Sequence, residues 1–420
     1  MGLRQSATRG LVSATMQLHV PEYIRTLVPY LPGKPIEETQ REFGLKRVVK
    51  LASNENPLGP SPKAMAAIKK AAAELHRYPD SGAYRLKQAI TASLNSGAGG
   101  RSASQAITPQ QIIIGNGSNE IIDFLIRTFC VAGDQMVTSQ AAFIAYKLCA
   151  QIHGVETVET PLTADLCFDL KSMVKTVRDQ SRVRLVFIAN PNNPTGTYVG
   201  AAELRAFLRE VSGVRDGSVL VALDYAYWEY VTARDLADPQ ELLAEFPNVV
   251  VLRTFSKVYG LAGIRIGYGV GSAEVIAAVQ KVRQPFNMNS LGLVAAEAAL
   301  SDRAFVERSR RVNTAGMKFW ETQLKKWGVS YWKSQGNFIL ADVSGGAGRK
   351  GMDVYQACLS RGVIFRPVAN YGLPHALRIS VGTSEENRIA ARVLGEVLSG
   401  VSHGALTRKR AVVAKRKARK

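Results

Sequence analysis

A lysine that closes an apolar run is the residue in this chain best placed for covalent chemistry. Residues 249–257 read V-V-V-L-R-T-F-S-K and lead into V-Y-G-L-A-G-I-R-I-G-Y at 258–268. An amine attacks only when neutral, so a nucleophilic Lys257 needs surroundings that depress its pKa. A strand end, a glycine-punctuated turn and Arg265 would provide them beside a bound phosphate. Three other segments carry matching chemistry. In N-P-N-N-P-T-G (190–196), two prolines and a glycine end the apolar run V-R-L-V-F-I-A. Asn193 then stands at a strand's C-terminal end, where open α/β sheets bind ligands. In G-N-G-S-N-E (115–120), a glycine-rich strand-to-helix turn aims backbone N–H groups at an anion; its plainer reading is a helix start capped by Ser118 or Asn119. It is neither a Walker loop nor G-x-G-x-x-G, so nucleotide binding is not implied. The last is Asp224, which ends S-V-L-V-A-L-D and precedes Tyr225, Ala226 and Tyr227.

Each segment alone has a plainer explanation: a surface lysine, a turn, a helix cap, a packed tyrosine. Their joint presence is more specific. A carboxylate at a buried strand end caps a helix or holds a cation. Against a pyridine ring, an anionic Asp224 would keep the ring nitrogen protonated and make the ring an electron sink. Tyr227 would donate to a ring hydroxyl.

The elements that must position these groups follow from the pattern. Strand-like and helix-like runs alternate from about 111 to 282, which predicts a mostly parallel sheet with helices on both faces. An apolar-periodic stretch over 291–327 predicts long helices leaving this large domain. From 329 onward, short strands and one helix are expected to join the N-terminal segment in a smaller α+β domain. The expected boundaries are an N-terminal arm (1–24), small-domain segments at 25–77 and 310–402, a large domain at 78–309, and a basic tail (403–420).

N-P-N-N-P-T-G, the Asp-x-x-Tyr at Asp224 and Tyr227, and S-K-x-x-x-L-A-G-I-R (256–265) together resemble the fold-type I pyridoxal phosphate enzymes, and within them the class I/II aminotransferases. The resemblance spans about 23–400. It implies pyridoxal 5'-phosphate as cofactor, with Lys257 as its covalent anchor and proton shuttle. Gly117, Ser118, Asn119, Ser256 and Arg265 would hold the cofactor phosphate. Asp224 would pair with the ring nitrogen, and Asn193 and Tyr227 with the ring hydroxyl. The family stacks an aromatic on the ring; here that is Phe143 in A-A-F-I-A-Y (141–146), with Tyr146 competing. Tyr225 stands where many relatives carry Glu.

P-Y-L-P-G-K-P (29–35), S-N-E-N-P-L-G-P-S-P (53–62) and R-Y-P-D (77–80) look like the histidinol-phosphate aminotransferase group. That likeness implies transamination between histidinol phosphate and 2-oxoglutarate, yielding glutamate. Tyr30 would cover the substrate, and Tyr78 would reach the cofactor phosphate of the neighbouring subunit in a homodimer. Arg378 in L-R-I-S-V-G-T matches the family's α-carboxylate clamp, and Arg366 in G-V-I-F-R-P adds a cation for a phosphate ester. An aromatic amino acid aminotransferase or a threonine-phosphate decarboxylase of the same fold stays open. A basic regulatory protein with a degenerate enzyme domain is disfavoured by the joint retention of Lys257, Asp224 and Arg265.

Bulk properties bound the rest. At 420 residues, with 46% hydrophobic and 21% charged content, the chain can bury a large core. No apolar run is long enough to span a membrane. Cys130, Cys149, Cys167 and Cys358 lack C-x-x-C spacing, so reduced thiols in the cytoplasm are expected. No histidine has metal-ligand spacing, and no metal is expected. The net charge of +20 is partly local: T-R-K-R-A-V-V-A-K-R-K-A-R-K (407–420) has no acid. It reads as a disordered tail able to make salt-sensitive contacts with nucleic acid or another polyanion, dispensable for catalysis. Residues 1–20 hold arginines and no acid. An untargeted arm, or a start at Met16, is preferred there to a transit peptide or a myristoylation signal.

Overall fold

A computed structural model describes residues 18–30, 32–96, 106–345 and 348–400. The expectations for the first seventeen residues and for the basic tail lie outside them.

β-Branched runs build the centre. Strands β1 (Ile112–Gly115), β2 (Gln135–Ser139), β3 (Glu156–Thr160), β4 (Val183–Ala189), β5 (Leu220–Asp224), β6 (Val249–Thr254) and β7 (Gly267–Val270) form a sheet of order β1-β7-β6-β5-β4-β2-β3. Every pairing is parallel except the two made by β7. Strands β5 and β6 are buried along their whole length. Both faces are covered, which is why they read as unbroken apolar runs instead of alternating ones. The covering helices show the complementary stripe: Leu204, Phe207, Leu208 and Val211 are the buried positions of Ala201–Ser212. Register then does the functional work. Ala189 pairs with Asp224, and Asp224 with Leu252. The segments that follow β4, β5 and β6 therefore leave from one edge of the sheet.

Two helices, Ser290–Leu300 and Arg303–Lys326, follow the large sheet. The second runs into a four-stranded antiparallel sheet made of β8 (Ser330–Trp332), β9 (Phe338–Asp342), β10 (Arg366–Pro367) and β11 (Ala376–Ser380), in order β10-β11-β9-β8. The single helix expected after residue 329 is corrected to two, Gly351–Leu359 and Ser384–Leu398. The first has only nine residues and buries few apolar side chains, Val354, Cys358 and Leu359, too short a stripe to stand out. The second opens on a Thr383/Glu386 capping box. Trp320, Ile339, Leu377, Ile379 and Leu394 share a core with Val49 and Leu51 from the N-terminal segment. Residues Val49–Lys50 pair in parallel with Val363–Ile364, and Ser380 N–H donates to Leu51 O. The chain from 51 to 56 is thereby laid along the boundary between the two cores.

Candidate active site

Lys257 lies just beyond β6, where the strand run ends and a tight turn begins (Gly260 N–H to Lys257 O, 3.0 Å). It opens on a cavity of about 200 Å³ lined also by Ser118, Asn119, Phe143, Tyr146, Asn193, Asp224, Tyr227, Ser256 and Arg265. The sheet edge, the helix start and the returning turn thus bring together residues scattered over some 150 positions of sequence. Lys257 Nζ is 3.4 Å from Ser53 O and 5.6 Å from the Tyr227 ring centroid. The segment behind it is pinned by Asn56, whose side chain donates to Val258 O at 2.7 Å. Burial lowers the lysine's pKa to about 8, helped by Arg378 and Arg265 and opposed by Glu55 and Asp224.

The candidate anion cradle lies where β7 passes the start of helix α1 (Ser118–Phe129). Gly117 is the cap residue, at φ 74°. The cap expected from Ser118 or Asn119 is corrected: neither side chain caps, and both lie past the turn, facing the cavity. Glu120 instead braces the turn from behind by accepting Asn116 N–H at 2.7 Å. A Cβ on Gly117 would come within 2.4 Å of an Arg265 guanidinium nitrogen, and one on Gly267 within 2.4 Å of Ser118 N. Only glycine allows this approach. Arg265 itself has φ 59°, a costly conformation for arginine. Its Nη1 reaches Ser256 Oγ at 3.4 Å and Ala262 O at 3.0 Å, and Thr254 Oγ1 donates to Ser256 Oγ at 3.0 Å.

Asp224 lines the same cavity as the lysine. Tyr146 O–H donates to its Oδ2 at 2.8 Å and Ala226 N–H to its Oδ1 at 3.1 Å. Burial pushes its pKa up, while these two donors and Lys257 pull it down. Phe143 and Tyr146 differ in their surroundings. Tyr146 is fully buried, stacks on Phe187 at 4.6 Å and spends its hydroxyl on Asp224, whereas Phe143 meets it edge-on. Tyr225 points into the core, T-shaped against Trp228. The loop after Asp224 is tied to β6 by the buried pair Glu229–Arg253, 2.6 Å. Removing either partner would strand a buried charge at a cost of about 3–5 kcal/mol.

On the small-domain side, Arg378 donates to Asn193 Oδ1 and to Ala52 O. Its guanidinium lies 5.5 Å from the Phe338 ring centroid, and its Nε is buried with no partner among the described residues. Arg366 lies opposite Arg378 in the β10–β11 register and packs on Tyr30, 5.6 Å from ring centroid to guanidinium and 3.4 Å from Nη2 to the phenol oxygen.

The family described as "Aminotransferase class I and II" matches residues 46–394. That match covers most of the chain. This protein belongs to the class I and II aminotransferases. A relative named histidinol-phosphate aminotransferase from Anaeromyxobacter sp. is 47% identical over 379 residues, covering 90% of this chain and 99% of that protein. A second of the same name, from Bdellovibrio bacteriovorus, is 45% identical over 90% of this chain and 98% of its own length. Among solved structures, histidinol-phosphate aminotransferase from Sinorhizobium meliloti in complex with pyridoxal-5'-phosphate superposes with a TM-score of 0.80. It is 29% identical, covering 93% of this chain and all of that one.

In this aminotransferase the sequence-derived residues fall into three places. Lys257, Asp224, Tyr227, Asn193, Ser118, Asn119, Phe143, Ser256 and Arg265 line one cavity, with Gly117 against Arg265. Arg378 touches that cavity through Asn193, and Arg366 and Tyr30 lie beyond it. Tyr78 is not at the cavity. It is 82% exposed and stacks on Phe286 at 4.8 Å. Sequence reasoning missed Thr254, Glu120, Asn54 and Tyr371. Tyr371 lines a neighbouring cavity of about 530 Å³ that shares Phe143 with the first. Asn54 lies in the quoted S-N-E-N-P run and Thr254 two residues before S-K, so both were within reach of the motif. Glu120 ends the quoted glycine turn, whereas nothing in the local pattern of Tyr371 marks it. Among the described residues no cluster suits a metal ion, and no helix is long and apolar enough to cross a membrane.

Proposed function

We propose that this chain is a pyridoxal 5'-phosphate-dependent histidinol-phosphate aminotransferase that moves the amino group of histidinol phosphate to 2-oxoglutarate. The observation that carries the reading is the convergence, around one cavity, of a lysine with a depressed pKa, a buried carboxylate and an anion cradle. The chain fits the cofactor on its own chemistry. Gly117 and Gly267 leave room where a Cβ would collide, at a cradle of Ser118 N–H, Ser256 and Arg265. Asp224 is buried with neutral hydrogen-bond donors, so a cationic ring nitrogen would complete its pairing. Phe143 offers a ring face.

When bound, the cofactor supplies an electron-withdrawing ring that stabilises negative charge at the substrate's amine-bearing carbon. Lys257 would anchor it and take the proton from that carbon. Asp224 would hold the ring nitrogen's proton, Asn193 and Tyr227 would orient the ring hydroxyl, and the cradle would fix position. Arg378 binds the anionic end of either substrate, since a guanidinium fork fits carboxylate and phosphate alike. Both substrates use one site, so ping-pong kinetics are expected.

Arg366 favours the phosphate ester, because it stacks with Tyr30 just outside Arg378. Arg366→Ala is expected to raise KM for histidinol phosphate about 10- to 100-fold, the worth of a charge-assisted hydrogen bond, and to change that for 2-oxoglutarate less. Steady-state kinetics on each substrate check this.

The working form is a homodimer in the cytoplasm. Exposed Tyr78, Tyr84, Phe286 and Leu75 supply apolar contact area, and all four cysteines are free. Sedimentation should give twice the chain mass. Tyr78→Phe should weaken cofactor binding about tenfold, one hydrogen bond to a charged group; unchanged affinity would remove Tyr78 from the site.

The direct test is the visible absorption of the cofactor-loaded protein. Bleaching on titration with histidinol phosphate, and recovery with 2-oxoglutarate, is expected. Bleaching only with phenylalanine would move the enzyme to aromatic amino acids.

A further inference from the structure

Asn54 connects the small domain to the Tyr227 phenol. It sits at φ 54°, a left-handed conformation that asparagine tolerates better than most residues. Its backbone is held from two sides. Its N–H donates to Ser380 Oγ at 2.9 Å, and its carbonyl accepts from Asn337 Nδ2 at 3.0 Å. Its side chain is fully buried. The carboxamide Oδ1 is 2.8 Å from Ser380 Oγ, and Nδ2 is 2.9 Å from the Tyr227 hydroxyl.

Ser380 Oγ accepts from Asn54 N–H, and the acceptor for its own proton is Asn54 Oδ1. With the carboxamide oxygen turned to Ser380, the NH₂ faces the Tyr227 hydroxyl. A phenol that accepts from an amide keeps its own proton for another acceptor. Among the described residues none takes it, and Tyr227 lines the cavity that holds Lys257. Ser380 lies two residues after Arg378 on β11, so the strand that presents the anion clamp also orients this chain of bonds.

We infer that Asn54, locked by Ser380, is a positioning residue for transamination: its amide commits the Tyr227 proton to the cavity. The inference rests on the pyridoxal phosphate reading and extends it to residues outside the cavity lining. A donated proton withdraws electron density from a ring oxygen, which lowers the proton affinity of the adjacent lysine-derived nitrogen. Reversing the donation should therefore raise the pH midpoint of the bound cofactor's visible absorbance.

Asn54→Asp tests this at nearly constant shape. A carboxylate has no N–H to give and would accept the Tyr227 proton, drawing it out of the cavity. Spectrophotometric pH titration of the loaded protein should show the midpoint raised by about one pH unit, the scale of one hydrogen bond. Ser380→Ala, which frees the carboxamide to turn over, should shift it the same way by less. Neither variant should shift it in a Tyr227→Phe background. An unchanged midpoint in Asn54→Asp, or a shift that persists without the Tyr227 hydroxyl, would overturn the inference; persistence would mark a mere effect of charge or of loosened structure. A wild-type protein that gains no visible band with pyridoxal 5'-phosphate would instead overturn the functional reading, and this inference with it.

Discussion

Lys257→Ala is expected to lower turnover about 10⁴-fold and to abolish the covalent attachment of pyridoxal 5'-phosphate. In the proposed reaction the lysine has two duties that no neighbour could assume. As a nucleophile it would anchor the cofactor, and as a base it would move the proton at the substrate's amine-bearing carbon. General acid–base catalysis alone is worth about 10²–10⁴, and losing a positioned nucleophile adds to it. The nearest other basic groups are Arg265 and Arg378, and guanidinium groups stay protonated. Borohydride treatment followed by mass spectrometry should attach the cofactor to wild-type protein at Lys257 and leave Lys257→Ala unlabelled. Labelling of the variant elsewhere, or turnover within tenfold of wild type, would remove Lys257 from this role.

The same lysine carries a pH signature. With a pKa of about 8, roughly a tenth of the cofactor-free protein holds a neutral amine at pH 7, against about one in three thousand for an ordinary lysine. Burial favours the neutral form, so capture of added cofactor should quicken as pH rises toward 8 and level off above it. A midpoint near the ordinary lysine value would mean that the side chain is solvated in solution.

What the sequence made legible is what sits in continuous segments. The runs through 183–189, 218–224 and 249–257 could be read as buried strands because β4, β5 and β6 are covered on both faces and carry no polar alternation to confuse the period. Their candidate site residues could be read because each lies at or just beyond the C-terminal end of its strand: Asn193 after β4, Asp224 closing β5 and Lys257 after β6. The assignment of ring contacts between Phe143 and Tyr146 could not be made locally. Three residues apart, Phe143 in the loop before the helix Ala145–Ile152 and Tyr146 within it, they diverge because Tyr146 finds Phe187 and Asp224 in space. The helix Gly351–Leu359 was lost for want of length. Asn54 and Ser380 are 326 positions apart, and their bond exists only because the N-terminal segment lies along β11. No periodicity encodes such a contact. Domain assembly makes it, and it is at such contacts that the site is finished.

Asp224→Asn is expected to lower the rate of the half-reaction about 10²–10³-fold while leaving the fold intact. The size is that of removing one preorganised electrostatic contact from a water-poor site. The direction follows from charge. An anionic carboxylate stabilises the protonated ring nitrogen, and a neutral amide does not, so the ring withdraws fewer electrons where the carbanion forms. The fold should survive because the amide oxygen can still accept from Tyr146, whose hydroxyl is 2.8 Å from Asp224 Oδ2; the NH₂ in place of Oδ1 loses only the bond from Ala226 N–H, about 1 kcal/mol. Stability should move in the opposite direction to activity. Burial holds the Asp224 pKa above the ordinary carboxylate value in the cofactor-free chain. The folded state therefore keeps its proton more tightly than the unfolded one. This carboxyl favours folding below its ordinary pKa and loses that contribution as pH rises through the raised value. At neutral pH the substitution removes a buried charge, so cofactor-free Asp224→Asn should melt no lower than wild type. Added pyridoxal 5'-phosphate should stabilise it less, because the pairing that would offset the burial of Asp224 is gone. Thermal melts with and without cofactor, beside single-turnover absorbance traces, separate the two effects. A variant that keeps its rate within tenfold, or that gains as much thermal stability from the cofactor as wild type does, would show that Asp224 is a structural carboxylate and that the ring nitrogen is served by another group.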